Sequence, residues 1–404
     1  MKLPSGEVLT YCTNIHPGES WREIRRNLDL YVLSVKASVA NDMLFGIGLR
    51  LSASAAKELT EPNVLSEFKS WLSENNCYVF TINGFPYGSF HTLPVKENVY
   101  LPDWRSKDRV SYTLMLADLL AELLPDEVVT YGSISTVPIG FREHIVTRED
   151  HKNIVENILL VVKYLIELKN RKGKRIVLAL EPEPCCYLET ITETINFLKQ
   201  SIFSEFSIHQ VGNHLKIGYL DAELEICKHI GICFDLCHAA VEFEDATGII
   251  QKILSSNILV PKIQISNSLN ITSVNTETVQ GLLEFEDGVY LHQVVEKVGQ
   301  KLNRYKDIKE AVSSYHLRSK EKDMDNHEWR VHFHVPIFLE SLSTFHTTQQ
   351  FIRDILMAHS QHAITQHLEV ETYAWSVLPK QYRDEDVTRL ITRELVWVKA
   401  LLRS

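Results

Sequence analysis

Three hydrophobic runs of this chain stop on a carboxylate. IVLALE ends at Glu181, GICFD at Asp235 and HLEVE at Glu371, while a fourth run, KIQIS, carries Gln264 among otherwise apolar residues. Oxygen donors delivered from several such runs to one place suit a hard or borderline divalent cation. Imidazoles accompany them. FDLCH sets His238 three residues beyond Asp235, and RVHFHVP puts His332 and His334 on one face of an extended segment, because alternate strand residues point the same way. His16 and Asn83 close two further runs at the same end. Taken singly, each has a plain structural reading. A glutamate after a strand complements the dipole of the helix that follows, Asp235 is placed to cap a helix, and the histidines suit a satisfied core or a solvated strand face. Together they imply more, since carboxylates gathered at one mouth repel and raise one another's pKa unless a cation holds them.

The elements that must position these groups alternate along the chain. Short β-type runs at 9–15, 44–52, 77–82, 133–139, 175–181, 230–235, 262–266 and 366–371 are separated by amphipathic helical stretches such as 19–37, 63–74, 112–124, 151–170 and 190–200. Helices over 347–357 and 386–402 follow, the latter closing the fold. Strand–helix alternation repeated eight times predicts an α/β protein, a single (β/α)8 barrel over 1–404 with long βα loops. In such a barrel, polar residues that end the strands gather at the C-terminal mouth. Two connections are long: 83–110, rich in aromatic residues and prolines, and an insertion over 267–330, read as helical in its middle (289–315). Both are expected to fold over the mouth.

Composition narrows the function classes. The 404 residues carry 42 Lys and Arg against 52 Asp and Glu, a net charge of −10, which speaks against general nucleic-acid binding. The first strand-like run begins within a few residues of the start, so no secretory signal is expected, and the longest apolar run is too short and too charged for a membrane span. Seven cysteines without paired CxxC spacing fit reduced thiols and a cytoplasmic setting.

The order of LALE, FDLCH, a strand carrying Gln264 and a final HLEVE resembles the xylose-isomerase-like superfamily of sugar isomerases, epimerases and endonuclease IV-type enzymes. The resemblance implies a metal held by Glu181, Asp235, Gln264 and Glu371, with glutamine in the third place as in hydroxypyruvate isomerases. HFH is similar to the Asp-x-His of endonuclease IV, with His332 replacing the acid. More narrowly, TYCTNIHPGESW, TINGFPYGSFH, LEPEP, YLHQVV, VHFHVP and LEVETYAW resemble the EboE-type metabolite-traffic family, whose reaction is not established.

The expected activity is that of a metal-dependent isomerase or epimerase on a hydroxy-carbonyl compound or secondary-metabolite precursor. Glu181 and Glu371 would exchange a proton at the substrate carbon. His16, Asn83, Phe85, Tyr87, His91, Trp104, His238, His332 and His334 would bind the substrate or wall its pocket. The oxygen-rich set favours Mn²⁺ or Mg²⁺, and Zn²⁺ if the histidines are ligands. The expected partner is a small molecule, with room for a homo-oligomer. Metabolite binding without turnover is the alternative, and phosphodiester hydrolysis of the endonuclease IV type a third.

Overall fold

The computed structural model describes residues 1–88, 96–126, 128–286, 291–318, 327–378 and 385–403. Eight parallel strands form the barrel: β1 Val8–Tyr11, β2 Phe45–Arg50, β3 Cys77–Asn83, β4 Gly132–Thr136, β5 Ile176–Leu180, β6 Ile230–Asp235, β7 Lys262–Ile265 and, after six strands of a second sheet, β14 His367–Val370. Each of the eight runs read from the sequence corresponds to one of them. Neighbours run β1-β14-β7-β6-β5-β4-β3-β2, and a parallel bridge between Cys12 and Gly48 joins the two ends into a closed (β/α)8 barrel. Gly48 is required there. A Cβ at that position would stand 2.0 Å from Glu369 Oε1 and 2.7 Å from the Tyr11 carbonyl oxygen.

The segment between β7 and β14 departs from the expectation of a helical middle. It forms a second, antiparallel sheet from β8 Asn267–Ile271, β9 Val294–Val298, β10 Lys301–Tyr305, β11 His327–Val335, β12 Ser341–Leu342 and β13 Phe345–Thr347. VVEKV and KLNRY are a hairpin rather than a helix. Gly299, at φ 58°, supplies the positive dihedral that a tight hairpin turn needs. Among the described residues of 267–330, helix is confined to Thr276–Leu282, with a 3-10 turn after it, and Ile308–Arg318; Gln349–Gln361 follows as the helix before β14. This sheet has its own apolar core, built from residues such as Leu269, Val294, Trp329, Val331, Phe333 and Val335. Buried Glu296 sews it together, accepting from Arg318, His327, Asn303, Tyr305 and Trp329, which hold its pKa down at about 2 against the effect of burial.

Strand alternation in β11 decides what this sheet contributes. Trp329, Val331, Phe333 and Val335 face its core, so His332 and His334 face the barrel mouth. The connection after β3 is brought over the same mouth by two buried arginines. Arg109 donates to the carbonyls of Gly84 (2.7 Å) and Pro102 (2.7 Å), and Arg50 to that of Gly88 (2.6 Å). Residues 89–95, with His91 among them, lie outside the described residues.

The C-terminal helix Val387–Leu401 closes the barrel and reaches the loop that carries Glu371. Its Glu394, 1 % exposed, accepts from Thr372 Oγ1 at 2.7 Å and from the Ile337 amide at 3.1 Å. Burial pushes this carboxyl up to about 8. Because the folded value lies above the unfolded one, the native state holds the extra proton. Stability contributed by that proton is complete below about pH 4.5 and is lost as the pH rises through 8. We expect Glu394→Gln to match wild type near pH 5 and to be more stable by a few kcal/mol, on the order of 4, at pH 9; denaturant melts at the two pH values check this.

Candidate functional site

The barrel interior is polar along one side. Along β14 and one residue past its end, the side chains of His367, Glu369 and Glu371 point inward in successive layers. Glu369 is level with Gln264 of β7, and Gln264 with Asp235 of β6. Glu181 follows β5, where its amide donates to the Thr136 carbonyl (3.2 Å). Glu181, Asp235 and Glu371 place one oxygen each within 4.8 Å of one another, and all three are buried. Their surroundings differ. Glu371 is clamped by three neutral amides: Asn14 (2.7 Å) and Asn83 (2.9 Å) donate to Oε1, and Gln264 (2.8 Å) donates to Oε2. Asp235 Oδ1 accepts from the His238 amide and from Ser266 Oγ, both at 2.8 Å, so it does cap the helix Leu236–Val241. Its Oδ2, like Oε2 of Glu181, is buried without a hydrogen-bond partner. The helix-capping reading of Asp235 is thus met by Oδ1, while Oδ2 makes no hydrogen bond.

Burial, followed by the charges of Glu371 and Asp235, drives the Glu181 carboxyl well above the usual range. Burial and Asp235 do the same to Glu371. One layer below, Lys262 pairs with Glu369 and donates to Ser135 Oγ (3.3 Å), with both members of the pair fully buried. Lys262 partly offsets the negative charge above it.

Beside the carboxylates stand the imidazoles of His238, His332 and His334, all buried, with ring centroids 4.5 to 5.5 Å apart. Burial and the neighbouring histidines keep His332 well below its ordinary value, and burial takes His334 down to about 4, so both are neutral at pH 7. A cavity of about 50 Å³ opens onto Glu181, Glu371 and the three imidazoles, and its opposite wall is Phe85, Pro86, Val99, Tyr100 and Leu291. Both long connections thus contribute to the cover of the mouth.

Several residues read as substrate contacts lie elsewhere. Trp104 is fully buried in the barrel's outer core and does not reach the cavity. Tyr87 packs edge-on against Tyr112 under Arg109. His16 stacks on Tyr31 and meets Tyr11 Oη at 3.0 Å, outside the lining. Aromatic richness in the loop marked packing as much as recognition. Gln264 stands at the site with its amide engaged at both ends, since its Oε1 accepts the Cys233 thiol at 2.7 Å. Sequence reading missed Asn14 and Glu183. The second acid of LEPEP was the available signal for Glu183, because an acid two residues beyond Glu181 stays near the same mouth.

No family model and no curated protein matches the sequence. Solved structures similar to it include xylose-isomerase-like barrel proteins. One is "IOLI protein with a binding zinc atom", at 12% identity over 97% of this chain and 98% of that one, TM-score 0.46. Another is a xylose isomerase domain protein from Alicyclobacillus acidocaldarius, at 12% identity over 98% and 100%, TM-score 0.43. A third is an AP endonuclease, family 2, from Brucella melitensis, at 14% identity over 78% and 100%, TM-score 0.35. The barrel assignment itself rests on the strand order and closure described above.

The Lys262–Glu369 pair yields a stability test. Removing one partner leaves the other charge buried and alone, which costs about 3–5 kcal/mol, whereas two apolar replacements of similar size are close to neutral. Lys262→Met should therefore destabilise by that amount, and Lys262→Met/Glu369→Leu should recover most of it. A double-mutant cycle by denaturant unfolding checks both statements.

Proposed function

We propose that this chain is a metal-dependent isomerase or epimerase acting on a small hydroxy-carbonyl compound by carboxylate-mediated proton transfer. The observation that carries this reading is the trio Glu181, Asp235 and Glu371, buried within 4.8 Å of one another and presenting two oxygens without partners. These residues fit a divalent cation, which would be held by the three carboxylates and, after a turn of its amide, by Gln264. An oxygen-rich set of this kind suits Mn²⁺ or Mg²⁺. A bound cation would polarise a carbonyl and its neighbouring hydroxyl.

The remaining chemistry belongs to the chain's own groups. Glu181 and Glu371 come from strands three places apart around the barrel mouth, one after β5 and one after β14. In this reading a substrate carbon lies between them, one carboxylate removing its proton and the other returning one from the other side. The asymmetry of their surroundings favours two roles. Three amide donors offset part of the rise that burial and Asp235 impose on Glu371, while Glu181 has an oxygen with no donor and suits the group that takes up and holds a proton. The cover formed by Phe85, Pro86, Val99 and Leu291 keeps water from competing for that proton. Phosphodiester hydrolysis draws less support, since the described lining of the cavity holds neither lysine nor arginine to receive a phosphate backbone.

The test is deuterium wash-in on a panel of ketoses and hydroxy-carbonyl compounds, with metal in excess. Wild type should exchange a substrate C–H with solvent. Glu371→Gln should keep the fold and much of the ligand affinity but lose exchange by about 10²-fold or more, the usual contribution of a general base. Binding without exchange at any carbon would overturn the enzyme reading in favour of a metabolite-binding protein, the role that the EboE-type resemblance suggests.

A further inference from the structure

At the other end of the barrel, where the strands begin, Arg175 directly precedes β5. Its guanidinium lies over the Tyr131 ring, 5.0 Å from the centroid, and its Nε is buried with no hydrogen-bond partner. A buried donor in this state is rare in native proteins and calls for an acceptor from outside the chain. Arg175 lines two clefts at once. The first, of about 430 Å³, is polar: Lys2, Lys174 and Arg175 face it, against Asp126 as the one carboxylate among its described lining residues. Asp126 is already paired with Lys174 and is 89% exposed. Lys2 gives one proton to the Val128 carbonyl at 3.1 Å and keeps two.

The second cleft, of about 350 Å³, is apolar. Ile253 and Leu254 reach it from the helix Ala246–Ser256, Ile258, Leu259 and Val260 from the segment before β7, and Ile364 from the segment before β14. Its cations are Arg175 and Lys228, the latter paired with Glu225 at 3.0 Å, and no carboxylate is among its described lining residues. Leu254 is 48% exposed, while Ile253, Ile258 and Val260 are buried. The apolar surface is therefore recessed rather than projecting.

We infer that this face binds a free amphipathic anion, with its phosphate or carboxylate head against Arg175 and Lys2 and a single apolar chain in the second cleft. The residues order the two ends. A guanidinium fork matches the paired oxygens of a phosphate or carboxylate. The head belongs beside Arg175 because that residue lies on both clefts. From there the chain has two directions, and only the second cleft removes it from water at the cost of no polar group. The cations that favour the anion disfavour a positively charged amphiphile. A membrane surface fits less well, since it wants projecting apolar groups and only Leu254 projects. Active sites of this fold lie at the opposite ends of the strands, so the inference stands apart from the isomerase reading.

Calorimetric titration of the full chain with octyl phosphate, below its micelle concentration, provides the test, beside nonanoate, inorganic phosphate and octyltrimethylammonium. Octyl phosphate or nonanoate should bind at least about tenfold tighter than inorganic phosphate, and the tighter of the two identifies the head group. Octyltrimethylammonium should not bind. Arg175→Gln should weaken the anionic amphiphile by about tenfold or more, as expected for lost charge-assisted hydrogen bonds. Leu254→Gln, at an exposed helix position, should keep the fold and weaken the amphiphile severalfold while leaving inorganic phosphate unchanged. In ¹H–¹⁵N spectra of the wild type, which need no variant to fold, octyl phosphate should shift the Arg175 Nε–H signal. Absence of binding, an unshifted Nε–H, equal binding of the cationic amphiphile, or affinity indifferent to both variants would overturn the proposal. So would inorganic phosphate binding as tightly as octyl phosphate, which would leave an adventitious ion only. Sedimentation with phosphatidic acid vesicles without binding of either single-chain anion would make this face a membrane surface and sink the free ligand.

Discussion

The barrel mouth is organised around a repulsion. Glu181, Asp235 and Glu371 bring oxygens within 4.8 Å of one another in a place that water barely reaches. At an effective dielectric of about 20, each pair of full charges so placed repels by roughly 3.5 kcal/mol. Three such pairs amount to roughly 10 kcal/mol, comparable with the whole stability of an ordinary domain. The site must therefore be neutralised, by protons or by a cation, whenever the fold is intact. The surrounding features answer that demand in part. Lys262 provides one buried positive charge, which Glu369 largely claims, and three amides turn their N–H groups on Glu371. None of these reaches Glu181 Oε2 or Asp235 Oδ2.

The cover sharpens the same demand. Phe85 and Pro86 are pulled over the mouth because Arg50 and Arg109 bond the backbone carbonyls of their loop, and Leu291 arrives from the lead-in to β9. Each apolar group placed there removes solvent that would screen the carboxylates, so the enclosure and the charge cluster reinforce one another. An enclosed, partly neutralised cluster is poor at holding an apolar guest and good at holding a cation with a small polar ligand upon it.

How much of this was legible in the sequence depends on how local the signal is. Glu181, Asp235 and Glu371 could be read because each ends an apolar run, and a run's end is a local fact. The barrel followed from the same runs. Asn14 and Tyr100 could not be read this way, for their importance lies in partners 357 and 83 residues distant. The hairpin Val294–Tyr305 was taken for helix because its alternation is short and its charged residues also suit a solvated helix face; the turn at Gly299 settles the matter. Trp104 illustrates the converse error. An aromatic residue in a long loop suggests a pocket wall, but here burial in the outer core was the stronger pull.

The second sheet shows why the imidazoles cannot be understood as an addition to a finished barrel. β11 pairs with β8 on one side and with β9 on the other, so its position is set by the sheet before it meets the barrel. Its odd-numbered residues from Trp329 to Val335 build the sheet's core, and its even-numbered ones deliver His332 and His334 to the mouth. A one-residue slip of register would turn Phe333 into the cluster and both imidazoles into the apolar core. Glu296 guards against such a slip, since its bonds to His327 and Trp329 on β11 and to Asn303 and Tyr305 on β10 are satisfied together in one alignment. The carboxylates are thus positioned by the barrel and the imidazoles by the sheet. Their meeting at His238 and Asp235 joins two independently fixed frames, and the chemistry of the mouth depends on the packing that holds them in contact.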